Sequence, residues 1–480
     1  TVATQAERGV PELFRIGTTD PVSRSSDYES PSELSVLHLK NTLKAWRERV
    51  ILPHTLFADV RAGFGTQAGT EELDPVKLAA ARIGELPLLR EITDAKANYK
   101  LRGYRDPETA EVLKKPAPPI IDEEGIGAHD PFDPLELYAY QIGLTVNQRE
   151  RGLHTKYLVC MPTGWNAERR RSVLIAMRRG IFRSLPAGML NYHELDKLIV
   201  ADAGPSAICF LAHAHRAFSA IPKEGAIMFA VFEAGASETG IVFGNLREPS
   251  NDEKKEGFSL IIEHLDVESL PWFGAERLLA RLAYRVFCEH AADAVALELA
   301  LECPLEETPL AGAEALLAPS PEARANLRLL KQAVRPVVEG DPTYRLPTSI
   351  KLASVGGSTK ELKLTLNRMA LRQQIDAWFT QAISEFHERL KPALGRLARE
   401  SDPYEGLRGF MGGRLSMHTG LQDMMQKALP SNVRVHKFRE PDRTNLTAAT
   451  VKTAVAIGAL ALRLERIGVA TRAEERDAFR

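Results

Sequence analysis

The stretch FAVFEAGASETGIVFG, residues 229–244, decides how the rest of the chain is read. An apolar run ends in an acid, Glu233, a small-residue turn follows from Ala234 to Ser237, and the chain then turns apolar again. Two alternating apolar strands around a glycine-bearing turn make a β-hairpin. The same residues also suit a loop whose backbone amides face a phosphate, with the acid beside a bound metal. The stretch alone leaves both readings open, and the surrounding chain has to choose.

The chain has 480 residues, more than one hydrophobic core usually serves, so two or more lobes are expected. Apolar content of 44% and charged content of 26% belong to an ordinary globular protein. Sixty-two basic residues against sixty-three acidic ones argue against a general nucleic-acid binder. Cys160, Cys209, Cys288 and Cys303 form no CxxC pair, which points to reduced core thiols rather than a disulfide framework or zinc site. TAVAIGALAL, the longest apolar stretch near the C-terminus, is short and flanked by Lys452 and Arg463, so it reads as no membrane span. No secretory signal is evident, and the expected location is cytoplasmic.

Residues 104–134 are rich in proline and charge and read as an exposed excursion. Helical spacing over PLELYAYQIGLTVNQRERG is followed by TKYLVCMPTGW, which reads as a buried strand leaving through Pro162 and Gly164. Asn166 is a good N-cap for the helix after it. KLIVADA reads as a strand leading to a small-residue helix, and FSLIIEHLDV as another strand. The segment SIKLASVGGSTKELKLTL keeps a two-residue period on both sides of its glycines, so it is expected to be a hairpin. Strands and helices alternate in both halves, which is an α/β pattern.

Six segments then stand in a particular order: CMPTGWNAERRRSVLIAMRRGIF, AGPSAICFLAHA, VFEAGASETGIVFG, WFGAERLL, GGRLSMHTGLQ and TAVAIGALAL, running from residue 160 to 462. In that order the chain resembles the ATPase domain of the seventy-kilodalton heat-shock chaperones (DnaK-type), within the actin-like and sugar-kinase superfamily. The resemblance implies a two-lobed actin-like fold of ribonuclease H-like mixed sheets flanked by helices. The first lobe would span 1–215 with a peripheral insertion at about 39–130, and the second 216–450 with a capping subdomain at about 271–367. Residues 451–480 would form a closing helix returning to the first lobe. Before residue 130 the resemblance rests on SPSEL, 30–34, and on TVA at 1–3, which would place the first phosphate loop upstream of Thr1. FRIGTTD, 14–20, mimics that loop, but Arg15 stands at its Asp position.

The resemblance also implies a site. Glu233 stands where the family has Asp, catalytic and holding Mg2+ through water, and Gly235, Ala236 and Ser237 occupy the phosphate loop. Glu238 is expected to repel a phosphate there. Gly204 replaces a catalytic Glu, and Asp202 either substitutes for it or caps the turn. Gly274 and Glu276 match the family's Gly-Gly-acid turn, and Lys331 matches its adenine-stacking lysine, with Arg328 where a helical acid partner would be. Gly412 and Gly413 would lie against adenosine, Arg414 would cover the ring, and Ser416 would bond the ribose or adenine. VGGST, 355–359, is assigned to the hairpin instead.

The resulting expectation is an ATP/ADP-binding, DnaK-like switch protein with weak or partner-dependent ATPase activity. Its ligand would be an adenine nucleotide with Mg2+, and its partner an unidentified protein, with no nucleic acid or membrane involved. A pseudo-ATPase scaffold that no longer hydrolyses nucleotide is the alternative. A small-molecule kinase would need a catalytic Asp facing a substrate cleft, for which the sequence offers no convincing candidate. Two substitution outcomes are expected: Gly413→Val abolishes nucleotide binding without unfolding the protein, and Gly at Ala236 and Ser237 together with Glu at Gly204 raises single-turnover ATP hydrolysis.

Overall fold

The computed structural model describes most of residues 133–471, excepting 150–152, 187–196, 215–225, 305–306, 318–319, 341–343, 398–403, 405 and 439–444. Before residue 133 it describes 2–4, 11–18, 20–36 and 60–63, together with 42, 46, 82 and 83. The excursion at 104–134 and nearly all of the insertion at 39–130 lie outside the described residues.

Strands β1 (Val2–Thr4) and β2 (Glu12–Phe14) form an antiparallel pair. β3 (Leu34–Val36) pairs with both β4 (Val60–Ala62) and β5 (Arg82–Ile83). Helix α1 (Pro134–Arg149) precedes β6 (Lys156–Met161), α2 (Ala167–Ser184), β7 (Ile199–Pro205) and α3 (Ser206–Ala214). β6 and β7 are parallel, and α2 starts as its sequence predicts, with the Asn166 side chain accepting from Arg169 N at 2.9 Å. Between α1 and α2, Glu136 and Arg179 form a 2.7 Å ion pair that is almost wholly buried.

The largest sheet has six strands in the order β14-β13-β8-β9-β10-β15. Its elements are β8 (Ala226–Ala234), β9 (Thr239–Arg247), the short helix α4 (Asn251–Lys255) and β10 (Leu260–Leu270). Helices α5 (Ala275–Glu289), α6 (Ala291–Ala296) and α7 (Pro321–Val338) follow, then the hairpin β11 (Ser349–Ala353) and β12 (Thr359–Lys363). The long α8 (Arg368–Leu397) leads to β13 (Arg408–Gly412), α9 (Thr419–Ala428) and β14 (Arg434–Lys437). Helix α10 (Thr453–Leu464) and β15 (Ile467–Thr471) end the described chain. β8, β9 and β10 run antiparallel, whereas β13 is parallel to β8 and β14 to β13.

Strand β8 is apolar on both faces because both are covered. Ala230 and Phe232 join the core under α5, α7 and α8, where Phe386 meets Phe232 edge-on at 5.4 Å. Phe229 and Val231 face the opposite core, built with Phe210 of α3 and Ala454 of α10. The sheet is therefore the middle layer of an α/β structure. Helices α3 and α10 touch where Gly458 faces the Cys209 carbonyl, and a Cβ there would lie 1.8 Å from that oxygen. The closing segment departs from expectation in one respect: beyond α10 the chain adds β15 in parallel to the edge strand β10. Its short apolar run looks like the tail of a helix in sequence, yet the exposed edge of β10 gives its backbone partners.

Candidate functional site

The opening stretch is a hairpin, with β8 and β9 in register from Ala226↔Arg247 to Ala234↔Thr239. What distinguishes it is what surrounds its turn. The first amides of a helix have no intrahelical acceptor. In α5 they find the turn: Ala275 N donates to Gly235 O at 3.0 Å and Glu276 N to Ala236 O at 2.8 Å. Arg277 Nε adds a 2.9 Å bond to Ser237 O, and the Thr239 hydroxyl bonds Phe273 O at 2.7 Å. Gly274 lies so close that a Cβ on it would sit 2.4 Å from the Ser237 carbonyl carbon. The turn's carbonyls are thus committed to α5. Among the described residues, the amides of Ala236 and Ser237 have no acceptor, and Ala236 at the crest is exposed.

Glu233 lies below the turn, only 7% exposed. It accepts a 2.7 Å hydrogen bond from Ser206 Oγ, the first residue of α3. The Thr163 hydroxyl lies 3.4 Å from that of Ser206 and accepts from Ala207 N at 3.3 Å. Burial pushes the Glu233 carboxyl up to about 7; the Ser206 bond opposes the rise and the charge of Glu238 adds to it. Glu238, expected to repel a phosphate here, has a partner of its own. Its Oε1 accepts from Gly164 N at 2.5 Å, in the turn after β6, while its charge still acts on Glu233. No group of three His, Cys, Asp or Glu among the described residues is placed to hold a metal ion.

Asp202 takes the capping role. It is clamped by Arg170 through two bonds of 2.6 and 2.5 Å and accepts from Gly204 N at 2.8 Å. Gly204 has φ 105°, a backbone region that side chains rarely adopt, although nothing lies within 4 Å of a Cβ there. A glutamate at 204 would be strained at this backbone angle, although it would have room for its side chain.

Glu276 and Lys331, brought from α5 and α7, are joined by a 2.6 Å ion pair. The acid partner missing from Lys331's own helix thus arrives from another one. Arg335 binds the same carboxylate at 2.8 Å. Burial works against ionisation of Glu276, but Lys331 and Arg335 prevail and hold its pKa at about 2. The Arg414 side chain is 38% exposed, and its guanidinium edge is paired with two carboxylates. It contacts Glu29 Oε2 at 2.6 Å and Glu339 Oε1 at 3.1 Å. Gly412 packs on the Phe210 ring, and Gly413, at φ 76°, lies against the Ala234 backbone, where a Cβ would be 2.1 Å from the carbonyl oxygen. Ser416 is buried and its hydroxyl donates to Gly413 O at 2.7 Å.

The turns after β6 and β13, the start of α3, the turn of the β8–β9 hairpin and the start of α5 thus meet around Glu233 to Glu238. Sequence reading missed Thr163, Ser206, Glu29, Arg335, Glu339 and Lys452 in this region. Thr163 and Ser206 carried a usable signal, since each is a hydroxyl at the end of an apolar element. The charged residues carried none, because each looks like a solvated face of its own segment. No protein-family model matches the chain, and no curated protein matches it at a significant level.

Proposed function

We propose that the chain is a two-lobed, actin-like, DnaK-like protein that binds ADP or ATP and acts as a nucleotide-dependent switch for a partner protein. The observation that carries this reading is the convergence of segments from residues 163 to 413 on one hairpin turn in which, among the described residues, the amides of Ala236 and Ser237 have no acceptor. The mixed sheet with helices on both faces and the crossing of α3 and α10 support the actin-like architecture. Phosphates would lie over Ala236 and Ser237, whose amides can donate to an anion. Magnesium, arriving with the nucleotide, would neutralise phosphate charge beside Glu233.

Hydrolysis is slow on this reading. Gly204 supplies no carboxylate, Asp202 is held by Arg170, and Glu233 is close to half protonated at neutral pH. Each lost charge-stabilising contact costs about one hundred- to a thousandfold in rate, so turnover falls below about 0.1 per second. The pseudo-ATPase reading is favoured by one observation, the engagement of Asp202 by Arg170 next to a position, Gly204, that carries no carboxylate.

The test is a charge at the exposed crest. Ala236→Asp should weaken ADP and ATP binding in calorimetry by at least about tenfold, with the melting temperature unchanged. Equal affinity in a folded variant would remove phosphate from this turn and the reading with it.

A further inference from the structure

Cys160, near the end of β6, and Cys209, in α3, are far apart in sequence, yet the fold brings their thiols together. The Cα of Cys160 pairs with that of Gly204 across β6 and β7, and the Cys209 Sγ lies 3.9 Å from the Gly204 carbonyl oxygen. Three residues beyond Cys160 and three before Cys209 the two segments meet again, where the Thr163 and Ser206 hydroxyls lie 3.4 Å apart. Both cysteines also border α10: Cys160 Sγ lies 3.7 Å from Val455 O, and the Cys209 carbonyl faces Gly458. In this corner the two thiols are hydrogen-bonded to each other, and neither belongs to a disulfide. We propose that Cys160 and Cys209 form a modification site: a hydroperoxide converts the pair to a disulfide, which joins the end of β6 to α3. The bond ties together the two elements whose hydroxyls lead to Glu233, and it forms without nucleotide.

The surroundings suit this chemistry. Cys209 is fully buried and Cys160 only partly so, and the oxidant therefore meets Cys160. The hydrogen bond to Cys160 and burial push the Cys209 thiol well above its ordinary value, which keeps it protonated until an oxidised sulfur is beside it. The Cys160 sulfur attacks one peroxide oxygen, the O–O bond breaks, and the departing hydroxide takes the thiol proton and leaves as water. Cys160 becomes a sulfenic acid, oxidised by two electrons as the peroxide is reduced. The Cys209 sulfur then attacks the Cys160 sulfur, the S–O bond breaks, and the oxygen leaves as a second water with the Cys209 proton. The contacts given up are weak thiol bonds, from Cys160 Sγ to Val455 O at 3.7 Å and from Cys209 Sγ to Ala203 O at 3.6 Å. The closed loop of about fifty residues restricts the unfolded chain, so an unstrained bond stabilises the fold.

The experiment treats the folded chain with hydrogen peroxide, blocks the remaining thiols with N-ethylmaleimide in denaturant and maps the unreduced peptides by mass spectrometry. The Cys160 and Cys209 peptides should appear joined, short of two hydrogens, and should separate again with dithiothreitol. In Cys209→Ser the reaction should stop at Cys160 as a sulfenic acid that dimedone traps, and in Cys160→Ser the Cys209 thiol should stay reduced. The urea midpoint of the oxidised wild type should move upward and return with dithiothreitol. Two free thiols after treatment, or Cys160 carried on to sulfinic acid beside a reduced Cys209, overturn the pair. So does a link that forms only in urea, or one made to Cys288 or Cys303 instead. An unchanged or lower midpoint shows a strained bond and overturns a pair placed to close. All but the serine arms are read on the wild type, so a variant that fails to fold removes none of them.

Discussion

Two glycine pairs stand in this chain, Gly356–Gly357 and Gly412–Gly413, and their surroundings could hardly differ more. At Gly357, with φ 80°, nothing lies within 4 Å of a Cβ, and at Gly356 only the Ser354 hydroxyl does, at 3.8 Å. That turn needs glycine for its backbone angle alone, and it closes a hairpin in register from Ser349↔Lys363 to Ala353↔Thr359. At Gly412 and Gly413 the Phe210 ring and the Ala234 carbonyl leave no room for a side chain. One pair is a free hinge of a hairpin, and the other is the point where β13, α3 and the end of β8 press together. The same dipeptide therefore answers to local geometry in one place and to tertiary packing in the other.

The largest effect should come from the crowded pair. Gly413→Val adds strain at a positive φ to a clash with backbone, for about 4 kcal/mol in urea unfolding. The expectation that this variant stays folded is corrected by the packing, so it cannot serve as a binding probe. Gly357→Ala, strained at a similar angle but in open space, should lose only about 1 kcal/mol. Equal losses at the two sites would erase the comparison.

A second effect is expected beneath the crowded pair, at Glu233. The unfolded chain releases this proton near the ordinary 4.5 and the folded chain near 7. The folded state binds the proton more tightly, so its stabilising contribution is full below about pH 4.5, falls between there and 7, and is lost above. The total is about 3 kcal/mol across that window, at roughly 1.4 kcal/mol per unit. Urea melts at intervals from about pH 4.5 to 7.5 should show this decline in wild type and a shallower one in Glu233→Gln. Parallel profiles would show that Glu233 titrates normally.

The smallest effect belongs to the free hinge. Ser358 and Thr359 lie on the hairpin, and changing both to Ala should leave ADP affinity within about a factor of two. A loss of tenfold or more would mean that the two glycine pairs have exchanged roles.

Much of the fold was legible in the sequence because it is written in local periodicity. The two-residue period around VGGST, the buried runs of β8 and β9, the Asn166 cap and the small-residue helices all appear where their patterns place them. The site was legible only in part. Glu233, Gly274, Glu276, Lys331 and the Gly412–Ser416 turn are recognisable as residue types. Their partners are not, because an ion pair or hydrogen bond between distant segments leaves no periodic trace.

What the sequence determined by itself, then, is where strands, helices and turns stand, since backbone preferences and side-chain alternation act over a few residues. Tertiary structure alone decided that Lys331 pairs with Glu276 of another helix, that Glu238 faces Gly164, and that Glu29 reaches Arg414. It also decided that the opening stretch is a hairpin with its carbonyls given to α5. The physical reason is that a charge or an unpaired carbonyl is satisfied by whichever group the fold brings within about 3 Å, and that distance is set by packing, not by position along the chain.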